Sequence, residues 1–196
     1  MTWEDQGVHE VRIHGRGGQG AVLASAILAT ALVEEGRHVM AIPSFGFERR
    51  GAPVVAFLRF DDRVIRQVTN IYSPNIVVVI DPTVARSVDV FAGMKPGGIL
   101  VQATKKAVAE LAPPSHLARV ATCDAVGIAL EVFKRPITNT IMLGAFAKAS
   151  GLVTIAALET ALEQQDFRDA GLRQNLEAVR RGFEETQVVE LREKVA

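Results

Sequence analysis

A short apolar strand pattern runs directly into four glycines and then into a long apolar helix pattern, and this order constrains the fold more than any other feature. The stretch is "VRIHGRGGQG" at 11–20, and "AVLASAILATALVEE" follows at 21–35, where Gly36 favours a helix end. "HVMAI" at 38–42 predicts a second strand, stopped by Pro43. Strand, glycine turn, helix and strand in this order predict a βαβ unit with a parallel pair of strands.

Further apolar runs predict the rest of a sheet. "VVAFLRF" at 54–60, "NIVVVIDP" at 75–82 and "PGGILVQ" at 96–102 have the β-branched character of buried strands. "RVI" at 63–65 is interpreted as a return strand after the third strand, and "HLARVATCD" at 116–124 as a sixth strand. The sheet portion therefore covers about 8–124.

The remainder, about 125–196, shows helical spacing of apolar residues. The helical stretches are "AVGIALEVF", "NTIMLGAFAKAS", "IAALETALEQQ" and "LRQNLEAVRRGFEET". In the second of these, Asn139 is predicted to be the N-cap and Gly151 the C-cap. We expect one domain over 1–196: a Rossmann-like three-layer α/β sandwich with a mostly parallel sheet and a helical C-terminal tail.

Composition excludes several classes of protein. Lys plus Arg and Asp plus Glu are both 22, and this balance disfavours a general nucleic-acid binder. A single cysteine, Cys123, can form neither an internal disulfide nor an iron–sulfur cluster site, and the four histidines lack zinc-site spacing. No secretory signal or membrane-spanning run is visible, so we expect a cytoplasmic protein with no metal site of its own.

The glycines match a dinucleotide-binding pattern only in part. Gly15, Gly17 and Gly20 fit G-x-G-x-x-G, but that site also needs an acidic residue at the end of the second strand. The second strand ends in "AIPS" at 41–44, which has none. Two interpretations stay open: the glycines allow strand and helix to pack closely, or they let an anion approach the helix N-terminus.

A second dense stretch is "PSFGFERRGAPVVAF" at 43–57. Glycines and prolines surround Glu48, Arg49 and Arg50, which suits recognition of a carboxylate or phosphate. A charged subunit interface, or a solvated loop with a surface ion pair, would use the same residues.

Together the two stretches resemble the gamma subunit, or gamma domain, of the 2-oxoacid:ferredoxin oxidoreductases. The similarity continues through "SPNIVVVIDPT" at 73–83, "KPGGILVQATK" at 95–105 and "NTIMLGAFAKASGLV" at 139–153, and so covers nearly the whole chain. The form "ERRGAPV" at 48–54 resembles the branch that acts on pyruvate, 2-ketoisovalerate and phenylglyoxylate.

The resemblance implies a subunit of an enzyme that decarboxylates a 2-oxoacid, forms an acyl-CoA and passes electrons to ferredoxin or NAD. It implies that thiamine diphosphate, Mg²⁺ and iron–sulfur clusters belong to other subunits: alpha and beta subunits that bind thiamine diphosphate, and a ferredoxin-like delta subunit. Whether a flavin/NAD electron-transfer subunit joins them stays open. The chain is not expected to be active alone, and neither nucleic acid nor a membrane is expected as a partner.

No catalytic residue is assigned to this chain. The residues expected to bind a cofactor, here CoA, or to contact a neighbouring subunit are Gly17, Gly18, Gln19, Gly20, Ser44, Phe45, Gly46, Glu48, Arg49 and Arg50. His14 is either a base or a hydrogen-bonding residue at a strand end, Asp81 either binds a ligand or caps the following helix, and Cys123 is a buried apolar residue. The alternatives for the whole chain are a free-standing Rossmann-like nucleotide-binding protein and a purely structural interaction protein.

Overall fold

The computed structural model describes residues 7–43, 51–165 and 171–191, and they form one seven-stranded sheet with helices. The strands are β1 His9–Arg16, β2 His38–Pro43, β3 Pro53–Asp61, β4 Ile76–Val79, β5 Ile99–Ala103, β6 Arg119–Cys123 and β7 Gln187–Glu190. Their spatial order is β2-β3-β1-β4-β5-β6-β7. The structure therefore confirms the α/β class, including the predicted sixth strand.

Strand β1 lies inside the sheet, third in the spatial order, and pairs differently with its two neighbours. It pairs in parallel with β4, where Ile13 lies opposite Val78, and antiparallel with β3, where Ile13 lies opposite Ala56. Strands β1, β2, β4, β5 and β6 run in one direction, and β3 and β7 run in the other. The sheet is thus mostly parallel in direction.

The prediction that β1 and β2 form a parallel pair is wrong, because β3 lies between them and pairs with both. The chain between β2 and β3 spans only residues 44–52, which suffices to join antiparallel strands but is short for a crossover to a parallel strand. β3 therefore pairs antiparallel with β2 and occupies the place beside β1. The predicted return strand at 63–65 is also wrong, since those residues form no strand.

The main core lies between the sheet and one layer of helices. These helices are α1 Ala21–Glu34, α3 Ala125–Val132, α4 Asn139–Ser150, α5 Ile155–Glu163 and α6 Leu172–Glu185. The other sheet face is covered by thinner structure, which includes a 3-10 helix at Val84–Arg86 and the single-turn helix α2, Val108–Leu111. Because both faces are covered, β4 is completely buried along its "IVVV" sequence.

Helices α4 and α6 approach each other through glycine on each side. A Cβ added to Gly144 would overlap the backbone oxygen of Val179, and one added to Gly182 would overlap the backbone oxygen of Ile141. Gly151 ends α4 in the left-handed conformation, with φ of 67°, and this confirms the predicted C-cap. Strand β7 follows α6 and pairs with β6, so the C-terminal region returns to the sheet, which the sequence pattern does not predict.

No helix within the described ranges is long and apolar enough to cross a membrane.

Candidate functional site

The glycine turn lies at the carboxyl ends of β1 and β4, where the chain leaves the sheet in opposite directions. From β1 it passes through α1 toward β2, and from β4 it passes toward β5 on the other side. Such a switch point leaves a crevice above the sheet, which is the usual location of binding sites in α/β proteins. The crevice between Gly17–Gly20 and the end of β4 is called here the glycine-turn crevice.

Each glycine of the turn has a specific steric role. A Cβ on Gly15 would lie 2.8 Å from Cγ1 of Ile80, so only glycine fits between β1 and the end of β4. Gly18 and Gly20 have φ of +89° and +79°, in the left-handed region that favours glycine. Gly20 is also the cap position of α1. The contacts of Gly15 and Gly20 support the close-packing interpretation, and the approach of an anion to the N-terminus of α1 stays a prediction.

The structure brings the glycine turn against the end of the arginine-containing stretch. The Gly17 N–H donates to the Ala52 carbonyl at 2.9 Å, and the Gly51 N–H donates to the Gly17 carbonyl at 3.1 Å. The Arg16 guanidinium donates to the Gly51 carbonyl at 2.9 Å. These bonds extend the β1–β3 pairing beyond its last strand residue. The remaining predicted site residues lie outside the described residues: Ser44, Phe45, Gly46, Glu48, Arg49 and Arg50.

Gln19 and Asp81 join the two strand ends across the crevice. The Gln19 side-chain oxygen accepts from the Arg16 N–H at 2.9 Å, and its amide nitrogen donates to the Asp81 carboxylate. The same carboxylate accepts from the N–H and the hydroxyl of Thr83, both at 2.6 Å. Burial alone would raise the pKa of Asp81, but these hydrogen bonds and the nearby Arg16 charge outweigh it and lower the pKa. Asp81 is therefore a charged positioning residue that caps the turn after β4.

A second helix, α4, begins beside the N-terminus of α1. The Thr138 hydroxyl, at the cap position of α4, donates to the Ile80 carbonyl at 2.9 Å and fixes the start of this helix at the end of β4. Asn139 is the first residue of α4 and lies directly against Gly20. The predicted N-cap role of Asn139 is thus wrong by one position, because the Thr138 hydroxyl holds the cap residue to the sheet.

Asn139 is a functional candidate that sequence reasoning missed. It is only 5% exposed, and its side-chain oxygen has no hydrogen-bond partner in the described part of the chain. No described side chain caps α1 or α4 at its first turn. The uncapped N-termini of α1 and α4 therefore meet here, which suits an anionic group, whereas the unpartnered oxygen of Asn139 is an acceptor and suits a hydrogen-bond donor.

His14 is a buried neutral imidazole. Its Nε2 accepts a hydrogen bond from Nε of Arg12 at 2.9 Å, and Arg12 also donates to the carbonyls of Val90 at 2.9 Å and Ala92 at 2.8 Å. Burial, together with the Arg12 charge, lowers the pKa of His14 to about 4. The structure supports the role of a hydrogen-bonding residue near the end of β1.

The described residues contain no group of three or more His, Cys, Asp or Glu side chains that could hold a metal ion. Cys123 is buried, and burial raises the pKa of its thiol to about 11, so it is an inert apolar residue as predicted. The single cysteine among the described residues cannot supply the four ligands that an iron–sulfur cluster requires.

The strand order weakens the dinucleotide interpretation further. In the usual dinucleotide site, the acidic residue that holds the ribose lies on the strand beside β1. Here that place belongs to β3, and the backbone of Gly51 and Ala52 is bonded to Gly17 there. Strand β2 is one strand farther away, at the edge of the sheet.

Comparison with known proteins identifies the family of this chain. Residues 10–185 match the family described as Pyruvate ferredoxin/flavodoxin oxidoreductase. The chain is 60% identical to the NADH-dependent phenylglyoxylate dehydrogenase subunit gamma of Aromatoleum evansii, over 96% of this chain and 100% of that protein. It is 50% identical to the pyruvate/ketoisovalerate oxidoreductases common subunit gamma of Thermococcus kodakarensis, over 93% of this chain and 99% of that protein.

A solved structure gives the same result. The crystal structure of the pyruvate oxidoreductase subunit PORC of Thermotoga maritima superposes with a TM-score of 0.81 at 37% identity, over 94% of this chain and 100% of that chain. The expected resemblance is confirmed, including its pyruvate, 2-ketoisovalerate and phenylglyoxylate branch. The chain belongs to the pyruvate ferredoxin/flavodoxin oxidoreductase family, and within it to the gamma-type subunits.

Proposed function

We propose that this chain is the gamma subunit of a CoA-acylating 2-oxoacid oxidoreductase whose other subunits carry the redox and thiamine chemistry. Its partners are alpha and beta subunits that bind thiamine diphosphate with Mg²⁺ and a delta subunit that holds iron–sulfur clusters. Those groups supply decarboxylation and electron transfer when bound. The observation that carries the proposal is the 60% identity to a gamma subunit over that protein's whole length.

We further propose that the glycine-turn crevice receives an anionic group. The candidates share one chemistry, a phosphate of CoA or a carboxylate of a neighbouring subunit, because both suit free N–H groups at the starts of α1 and α4. Gly17, Gly18, Gln19 and Gly20 shape the crevice, and the amide nitrogen of Asn139, which lies beside Gly20, is the donor that this residue would offer to the anion. The arginine-containing stretch rejoins the described chain at Gly51, beside Gly17, so Arg49 and Arg50 are proposed to act at the same crevice.

Two variants test this role in the assembled enzyme. Arg49→Ala with Arg50→Ala removes two cations from the loop, and Asn139→Leu removes the buried amide. Arg180→Ala with Arg181→Ala is the matched control, since these adjacent arginines lie on α6 and pair with Glu159 and Glu131 of the same chain. If CoA binds here, we expect the KM for CoA to rise about tenfold while the complex still assembles.

The other source of the anion gives a different result. If a neighbouring carboxylate binds here, the arginine variant is expected to lose subunits during size-exclusion chromatography, with an unchanged KM for CoA in the complex that remains. Normal assembly together with an unchanged KM in both test variants contradicts the proposed crevice. Assays with pyruvate, 2-ketoisovalerate and phenylglyoxylate then identify which 2-oxoacid the complex uses.

The nucleotide-binding alternative is tested on the chain alone. We expect isothermal titration calorimetry of the isolated chain with NAD to show no binding. Micromolar binding of NAD would support a free-standing nucleotide-binding protein instead.

A further inference from the structure

Residues 62–75 connect β3 to β4 and contain no helix or strand. Connections of more than about 12 residues without secondary structure are uncommon in compact domains and are usually functional. This segment is called here the 62–75 loop. It lies at the amino end of β1, at the other end of the strands from the glycine turn, because β3 ends there and β4 begins there. The glycine-turn crevice therefore does not include it.

A buried arginine fixes the backbone of the 62–75 loop. Arg59 is 1% exposed, and its guanidinium donates to the carbonyls of Gln67 at 3.4 Å, Thr69, and Asn70 at 3.3 Å. Its Nε donates to the Glu10 carboxylate at 2.9 Å. Three carbonyls bound to one buried cation hold the middle of the loop in a single conformation.

The end of the loop is fixed as well. Ile71 is buried, and the Asn75 side chain accepts from the Glu10 N–H at 2.7 Å. Gly93 lies so close to the Tyr72 backbone that a Cβ there would overlap the Tyr72 carbonyl oxygen. The loop backbone from Gln67 to Asn75 is thus held by contacts with the rest of the chain.

Three apolar side chains of this loop are exposed. Val64, Val68 and Tyr72 are 67%, 68% and 76% exposed, which makes them the three most exposed large apolar side chains in the described ranges. Val33 and Leu130 come next at 56% and 50%. Exposed apolar side chains on an anchored backbone are typical of an interaction surface, because a backbone that is already ordered loses little conformational entropy on binding.

The charges between these apolar residues indicate the kind of partner. Arg63 and Arg66 alternate with Val64 and Val68 along the loop, and both are exposed. The carboxylate of Asp62 pairs with Arg37, and the Asp61 carboxylate lies 4.0 Å from the Arg63 guanidinium, so Arg66 is the loop cation with no ion pair among the described residues. The surface therefore offers apolar contacts beside the unpaired positive charge of Arg66, which complements an apolar surface edged by carboxylates.

We propose that the 62–75 loop is a preformed docking surface for another subunit of the same oxidoreductase complex, one that presents an apolar patch edged by carboxylates. This proposal rests on the proposed function, since it assumes that the chain assembles with other subunits. The 62–75 loop would be a second contact region, at the other end of the strands from the glycine-turn crevice.

Cross-linking tests which molecule covers the loop. The one native thiol, Cys123, is buried, so Val68→Cys introduces a single reactive thiol. With a thiol-reactive photo-cross-linker on that position in the assembled complex, mass spectrometry is expected to identify a different subunit, at a segment containing Asp or Glu. Cross-links only to a second copy of this chain, only to residues 1–6 of its own chain, or to no protein contradict the proposal.

Substitutions test how much the 62–75 loop contributes to association with the other subunits. Val68→Asp and Arg66→Glu are each expected to weaken association with the other subunits about tenfold, measured by sedimentation or biolayer interferometry on the reassembled complex. The thermal midpoint of the isolated chain should stay unchanged. Val33→Asp is the matched control, since Val33 is also exposed but lies on α1.

Two outcomes separate the proposals. If the wild-type chain assembles and both loop variants assemble equally well, the docking surface is wrong and the proposed function stands. If the wild-type chain itself does not assemble with the other subunits, the proposed function fails first.

Discussion

Gly20 and Asn139 lie in direct contact, and this contact joins the N-termini of α1 and α4 at the crevice. Gly20 has φ of +79°, and a Cβ at this position would overlap the amide nitrogen of Asn139. The glycine therefore satisfies two requirements at once, a left-handed backbone and an absence of side-chain volume.

Gly20→Ala is expected to destabilise the fold more than backbone strain alone explains. Gly36 is the matched control, because it has φ of +81° but nothing described within 4 Å of an added Cβ. We expect Gly36→Ala to lower the free energy of unfolding by about 1 kcal/mol and Gly20→Ala by about 2–4 kcal/mol in urea titrations. Adding Asn139→Ala to Gly20→Ala should recover part of the loss. Equal losses at the two glycines contradict the steric contact.

Gly144→Ala is expected to destabilise the chain although alanine favours helices. Alanine normally stabilises a helix interior by about 1 kcal/mol relative to glycine. At Gly144 the added methyl would overlap the backbone of α6, so we expect a net loss of about 2 kcal/mol or more on chemical denaturation. Thr160→Ala, at an exposed position of α5, is the control and should cost nothing. A stabilised Gly144→Ala variant is the result that rules out the close helix contact.

His14 makes stability depend on pH in a defined window. Its folded pKa of about 4 lies below the ordinary value of 6.5, so the unfolded chain binds a proton first as the pH falls. The neutral His14 side chain therefore contributes its full share to the free energy of unfolding above pH 6.5, and this share is lost between pH 6.5 and about 4. Between about pH 7.5 and about pH 5 we expect His14→Gln to lose about 2 kcal/mol less stability than the wild type.

Nuclear magnetic resonance provides the direct check on that prediction. The His14 imidazole signals should not titrate between about pH 5 and about pH 8. A midpoint near 6.5 for this residue contradicts its burial beside Arg12.

Arg59 is expected to protect the 62–75 loop from proteolysis. Arg63 and Arg66 are exposed trypsin sites, but the loop backbone must detach from Arg59 before it can enter the protease. Arg59→Met, which keeps an unbranched aliphatic side chain but removes the guanidinium donors, should increase the rate of cleavage at these sites about tenfold. Arg173→Met on α6 is the control. Unchanged cleavage after Arg59→Met shows that other contacts hold the loop.

The sequence pattern predicts where helices and strands lie in the chain better than it predicts which strands pair. The strand–turn–helix pattern through α1 is visible because apolar periodicity and glycines are local signals. The position of β3 beside β1 cannot be seen in a local pattern. It depends on the short connection before β3 and on which strands share the buried face. The four-residue strand β7 is missed for a similar reason, since only its pairing with β6 identifies it.

The same limit applies to the candidate site. Gly17–Gly20 form a recognisable motif, and the local pattern correctly predicts that it lies between β1 and α1. Asn139 lies more than a hundred residues away in the chain, so only the tertiary fold shows that its amide meets Gly20. Arg59 lies in a strand pattern that gives no indication of its bonds to the 62–75 loop.

Reconstitution of the oxidoreductase is the most direct test of whether this chain is its gamma subunit. The subunits encoded beside this chain are purified with and without it, and 2-oxoacid- and CoA-dependent reduction of an electron acceptor is measured. We expect the chain alone to be inactive, the complex that contains it to be active, and the subunits without it to lose assembly and most turnover. Full activity without this chain, or failure of the chain to associate with those subunits, would contradict its role as the gamma subunit.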